Sequence, residues 1–102
     1  MKRVVAVIAA FVVVALLTVA AQAQENGERI FRQKCAMCHI VKGVGGKIGP
    51  ELSKVAVRMN EMSLKAKLDA PKTSNPSSTM PSFRTLPNGE MTALLTYLKT
   101  LR

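Results

Sequence analysis

Hydrophobic and polar positions divide the chain into stretches of different character. After Met1-Lys2-Arg3 the sequence is apolar from Val4 to Ala21, broken only by Thr18, and closes with Ala21-Gln22-Ala23. A short basic start, an apolar middle and a small-x-small site make a secretory signal peptide spanning residues 1–23, with cleavage expected after Ala23. The run is also close to the lower length limit for crossing a bilayer, so retention as an anchor is the alternative. The small-x-small site stands at the junction with polar sequence, which favours cleavage.

Beyond the junction, Gly27, Ile30, Phe31 and Lys34 follow helical spacing. Asn26 is placed to cap this helix, with Glu28 in its first turn and Arg32 four positions on. Glycine costs about 1 kcal/mol inside a helix; at position 27 a close approach by another helix would account for it, and a glycine tolerated near a helix N-terminus is the ordinary alternative. Val41 to Pro50 reads as a loop, because Gly43, Gly45, Gly46 and Gly49 interrupt regular structure. It is not a phosphate loop: Ile48 follows Lys47 where Ser or Thr is required.

Glu51 to Val57 predicts a turn or short helix, and Met59 to Leu68 a helix ended by Asp69-Ala70-Pro71. Lys72 to Pro87, with Pro76, Pro81, Pro87 and several serines, excludes a long helix or central strand. Met80 and Phe83 are bulky apolar residues in its middle. The last stretch is the clearest helix. Met91, Leu94, Leu95, Leu98 and Leu101 form one apolar stripe, Asn88-Gly89-Glu90 opens it, and Lys99 and Arg102 suit its negative end. This helix is expected to cross the first one at Gly27. The fold class predicted is all-α.

Charge and size narrow the function classes. Without Lys2 and Arg3, the basic residues number thirteen against six acidic ones, a net charge of +7 over residues 24–102. They are scattered, with almost no aromatic interleaving, so nucleic-acid binding has little support. A basic surface steers encounters with acidic partners instead. A domain of 79 residues buries only about 60% of its unfolded surface. Such a chain needs a staple.

The chemistry is concentrated in Cys35-Ala36-Met37-Cys38-His39, which holds both cysteines and the single histidine. Cys-x-x-Cys-His is the attachment signature for c-type haem. Residues i and i+3 share one side of a helical turn, so both thiols can form thioethers along one porphyrin edge. His39, directly after, can supply an imidazole to the iron. Two other readings compete. A redox dithiol belongs at a strand-to-helix turn, and no β-rich segment precedes Cys35. A zinc site usually takes four protein ligands, and there is no second Cys or His pair.

Iron held by His39 has either an open far side or a second ligand. Met37 lies within the attachment turn and cannot reach round the ring. Met91 belongs to the core stripe, and Met59 and Met62 sit where packing is the ordinary role. Met80, between prolines in a polar loop, has the strongest claim, against the alternative that it fills a core gap.

In its order of features, the sequence resembles the class I monohaem cytochromes c over residues 25–102. Gly27 and Phe31 precede Cys35-Ala36-Met37-Cys38-His39; Gly49-Pro50-Glu51-Leu52, Asn75-Pro76-Ser77-Ser78-Thr79-Met80-Pro81 and Leu94-Leu95-Thr96-Tyr97-Leu98 follow. The resemblance implies a small all-α cytochrome c-like fold over residues 24–102, with first and last helices crossing beside one covalently attached haem c. By that likeness Gly27 and Phe31 meet Leu94 and Tyr97, the Pro50 carbonyl accepts a hydrogen bond from His39, and Met80 is the sixth ligand. Arg58 falls where some members place a basic residue near a propionate. The chain has no Trp, which many members place there.

The function implied is that of an exported, periplasmic, monomeric carrier of single electrons, not an enzyme. Its donor and acceptor are expected to be redox proteins with acidic docking surfaces that meet Lys34, Lys42, Lys47 and Lys72, transient contact with a membrane complex included. The rival readings are a haem subunit of a larger oxidoreductase complex, a haem peroxidase or ligand-binding protein, and a thiol oxidoreductase.

Overall fold

A computed structural model describes residues 1–102. The element order is α1 (Lys2–Lys34), β1 (Ile40–Val41), β2 (Val44–Gly45), α2 (Val55–Arg58), α3 (Glu61–Asp69), α4 (Pro71–Ser74) and α5 (Asn88–Lys99). The fold is all-α, its only strands being one two-residue hairpin.

The apolar leader and the helix that reaches Cys35 are one element. α1 runs unbroken through Asn26, so Asn26 does not cap a helix start; its Oδ1 accepts a hydrogen bond from Arg29 at 2.9 Å. The leader is free of Gly and Pro, so the helix runs through it, and its upstream carbonyls satisfy the amide groups that a cap would otherwise serve. Residues such as Val5, Phe11 and Leu17 are exposed along this first half, which is long and apolar enough to cross a membrane. It carries the molecule to 63 Å in its longest dimension.

The core is built where the second half of α1 crosses α5. A Cβ on Gly27 would overlap the backbone carbonyl of Ala93 and lie 2.7 Å from Tyr97 Cβ, so the missing side chain permits the crossing. Next to it, Phe31 and Tyr97 pack at a ring-centroid distance of 5.6 Å and an angle of 55°, a geometry favoured by the aromatic quadrupole. Burial raises the Tyr97 phenol pKa; Glu28 adds to the shift and Arg32 opposes it, so the phenol stays neutral in the core. All five stripe residues, Met91, Leu94, Leu95, Leu98 and Leu101, are buried, together with Ala93 and Tyr97.

Two stretches differ from their sequence reading. The glycine-rich loop contains a tight hairpin, in which Ile40 pairs with Gly45 and Val41 with Val44. Lys42 and Gly43 both have positive φ, 51° and 82°, the backbone a two-residue hairpin turn demands. The glycines permit a turn here, where sequence reasoning took them only as interruptions. Helix α3 begins at Glu61, later than the apolar pattern suggests, because Asn60 caps it by accepting from the Ser63 amide at 2.9 Å. Met59 is left outside in extended backbone, and only Leu64 and Leu68 of α3 are buried.

Replacing Asn60 with Ala removes that cap and is expected to cost about 1 kcal/mol, read as a lower denaturant midpoint with an unchanged slope. Two further ties close the periphery. Lys99 Nζ meets Glu61 Oε2 at 2.6 Å, and the Ala56 amide donates to the Leu101 carbonyl at 2.8 Å. Thus α2, α3 and the chain end are all held against α5.

Candidate haem site

At the end of α1 the backbone tightens into turns instead of extending. The amides of Cys35 and Ala36 both donate to the Phe31 carbonyl, at 2.8 and 3.0 Å, and those of Cys38 and His39 both donate to Cys35, at 3.1 and 3.0 Å. One turn therefore presents Cys35, Cys38 and His39 together. The following loop wraps back along it: Gly46 donates to Ala36 at 2.8 Å and Gly49 to Cys38 at 2.6 Å.

This wrapping seats the imidazole. A Cβ on Gly49 would lie 2.5 Å from His39 Cε1 and 2.8 Å from Nδ1, so the ring rests against bare backbone. His39 Nδ1 lies 2.7 Å from the Pro50 carbonyl oxygen. A carbonyl can only accept, so Nδ1 carries the proton and Nε2 is left with its lone pair free. Such a bond orients a ligating histidine and raises its basicity. Sequence reasoning named Gly49 as a loop breaker and as part of the Gly49-Pro50-Glu51-Leu52 feature, without giving it contact with the histidine ring. Its position just before Pro50, eleven residues from the histidine, was the available signal.

Cys35, Cys38, His39, Pro50 and Met80 line a single cleft of about 820 Å³, part of it open to solvent. All five sequence-predicted residues meet there. Met80 is half-buried and arrives from the proline-bounded segment, with Thr79, Pro81 and Phe83 beside it. The other methionines do not line the cleft: Met37 and Met62 are exposed, Met59 packs on the core and Met91 lies within it. Lys34 is on the cleft rim. Arg58 is not; its guanidinium faces the Glu51 carbonyl at 3.4 Å, on a patch shared with Lys99 and Arg102.

Cys35 carries none of the activation of a redox thiol. Cys35 and Cys38 are not joined to each other. Burial pushes the Cys35 thiol up to about 11, with Cys38 adding to the shift and Lys34 opposing it. Reactive dithiols work through a lowered pKa. No three His, Cys, Asp or Glu side chains gather into a metal-binding group. What the cleft offers is two soft thiols on one turn, a pre-oriented imidazole, a thioether and apolar walls. That donor set fits a haem.

A small all-helical protein that holds haem through its own thiols is the class that this fold and cleft define. The family model described as Cytochrome c matches residues 24–102, and the chain belongs to that family. No curated protein matches it. Membership makes it a haem-binding electron-transfer protein carrying covalently bound haem c with its iron. Proteins of this family generally carry electrons and are not enzymes, and they work with redox partners. The apolar first half of α1 is compatible with a signal sequence, as the family's usual export suggests.

Proposed function

We propose that the chain is a periplasmic one-electron carrier, exported on residues 1–23 and cleaved after Ala23. In this reading Cys35 and Cys38 would form the thioethers to the haem, and His39 Nε2 and the Met80 sulfur would hold its iron. The observation that carries it is the convergence of Met80 and the attachment turn on one cleft, from segments forty residues apart. Bound there, haem supplies an Fe(III)/Fe(II) couple.

The chain's own residues do the rest. Pro50 fixes the proton of His39 on Nδ1 and thereby frees Nε2. With His39 and Met80 both holding the iron, no position would be left for a substrate, and the exchange supplied by the haem would be outer-sphere. Thioether sulfur favours reduced iron and raises the potential relative to two nitrogen ligands. Lys34 on the rim, Lys42 at the hairpin turn, Lys47 in the wrapping loop and Lys72 in α4 contribute to the +7 charge that draws an acidic partner.

Stopped-flow oxidation of the ferrous haem-loaded protein by hexacyanoferrate(III), an anion, tests the surface charge. Its second-order rate is expected to fall about tenfold from low to high salt. A cationic oxidant should show the opposite trend. A rate with the anion that rises with salt would remove the case for acidic partners.

A further inference from the structure

The segment carrying Met80 has no regular structure, and its hydrogen bonds fall into two groups. One is internal: Ser78 donates its amide to Asn75 at 3.0 Å, and the Met80 amide donates to Ser78 Oγ at 3.2 Å. The other reaches the end of α3. Ser82 Oγ donates to the Asp69 carbonyl at 2.6 Å, and the Phe83 amide donates to the Leu68 carbonyl at 2.8 Å. Ser82 Oγ also accepts from the Arg84 amide at 3.3 Å.

The last carbonyls of a helix have no intrahelical donors. The Ser82 and Phe83 bonds therefore finish α3 and moor the segment in one act. Lys65 and Asp69, paired at 2.7 Å, stiffen the same final turn. Ser82 is exposed and does not line the cleft, so it touches neither haem nor iron there.

We propose that Ser82 is a positioning residue for Met80, its mooring bond setting how rarely the sulfur leaves the iron. This rests on the reading of Met80 as axial ligand. Only Pro81 separates the two residues, and its ring fixes φ, so slack between anchor and sulfur is small. Without the hydroxyl, the Phe83 amide bond and the packing of Phe83 and Leu86 on the core remain to hold the segment after Met80, and of these only the Phe83 amide ties it to α3.

The test uses ferric haem-loaded protein mixed with saturating imidazole, where the limiting rate of the spectral change reports departure of the native ligand. One net hydrogen bond makes that rate about three- to tenfold faster in Ser82→Ala, while Ser82→Thr, which keeps the hydroxyl, stays within about twofold of the parent. Hydrogen exchange at the Phe83 amide should accelerate by a similar factor, with the reduction potential almost unmoved and the denaturant midpoint lowered by no more than the loss of one bond. An unchanged limiting rate in Ser82→Ala overturns the proposal. So does an acceleration in Ser82→Thr equal to that in Ser82→Ala. If the parent binds imidazole as fast as Met80→Ala does, the ligand reading itself fails and the mooring role with it.

Discussion

Met80→Ala is expected to lose the weak far-red absorption of ferric iron bound to thioether sulfur while keeping its covalently attached haem. The attachment turn lies on the opposite side of the sequence gap, anchored by bonds to Phe31, Cys35 and the wrapping loop, and none of these involves residue 80. Loading should therefore survive. The reduction potential should fall on the order of 100 mV or more, a modest share of the range that axial ligands command. Redox titration and spectra of the two proteins measure both changes. Retention of the far-red band in Met80→Ala would mean that another group holds the iron.

The second large effect concerns packing. Gly27→Val places methyl groups where the Ala93 carbonyl and Tyr97 Cβ already stand, and neither is a flexible side-chain end that can move aside. α1 and α5 have to separate, loosening the Phe31–Tyr97 contact as they do. The expected loss is about 3 kcal/mol or more, at the upper end for overpacked cores, against a total of roughly 5–15 kcal/mol for a domain. Gly89→Ala is the control, since a Cβ there meets nothing within 4 Å. It should change stability by no more than about 1 kcal/mol, in the stabilising direction. Denaturant titration of the haem-loaded variants decides it, and equal midpoints for Gly27→Val and the parent would refute the account of the crossing.

Much of this was legible in the sequence where the signal was dense. The α5 stripe needed only apolar spacing, while the glycine at position 27 fitted either a neighbouring helix or an ordinary helix start, and the contact with Ala93 and Tyr97 decided between them. The histidine partner at Pro50 came from the family resemblance, and its 2.7 Å bond is what the structure adds. Sequence reasoning went astray where a local signal was ambiguous. Asn26 has the chemistry of a cap, but a helix already running upstream leaves it no amide to serve. The glycines after His39 fit either an irregular loop or a hairpin, and backbone pairing between residues 40 and 45 decided between them. The Ser82 mooring had no sequence signal, since its acceptor is a backbone carbonyl thirteen residues away.

On the proposed cleavage after Ala23, the continuity of α1 would give Asn26 two successive roles. While residues 1–23 are attached, it is an interior position whose side chain engages only Arg29. Removal of those residues would put a new amino terminus three positions before Gly27, leaving exposed amides with no upstream carbonyls. Asn26, the best capping residue near that end, would then be free to serve them, and the new end of the helix would lie within a turn of the crossing with α5. Maturation would thus convert a spectator into a terminus-keeper without changing a single residue of the domain.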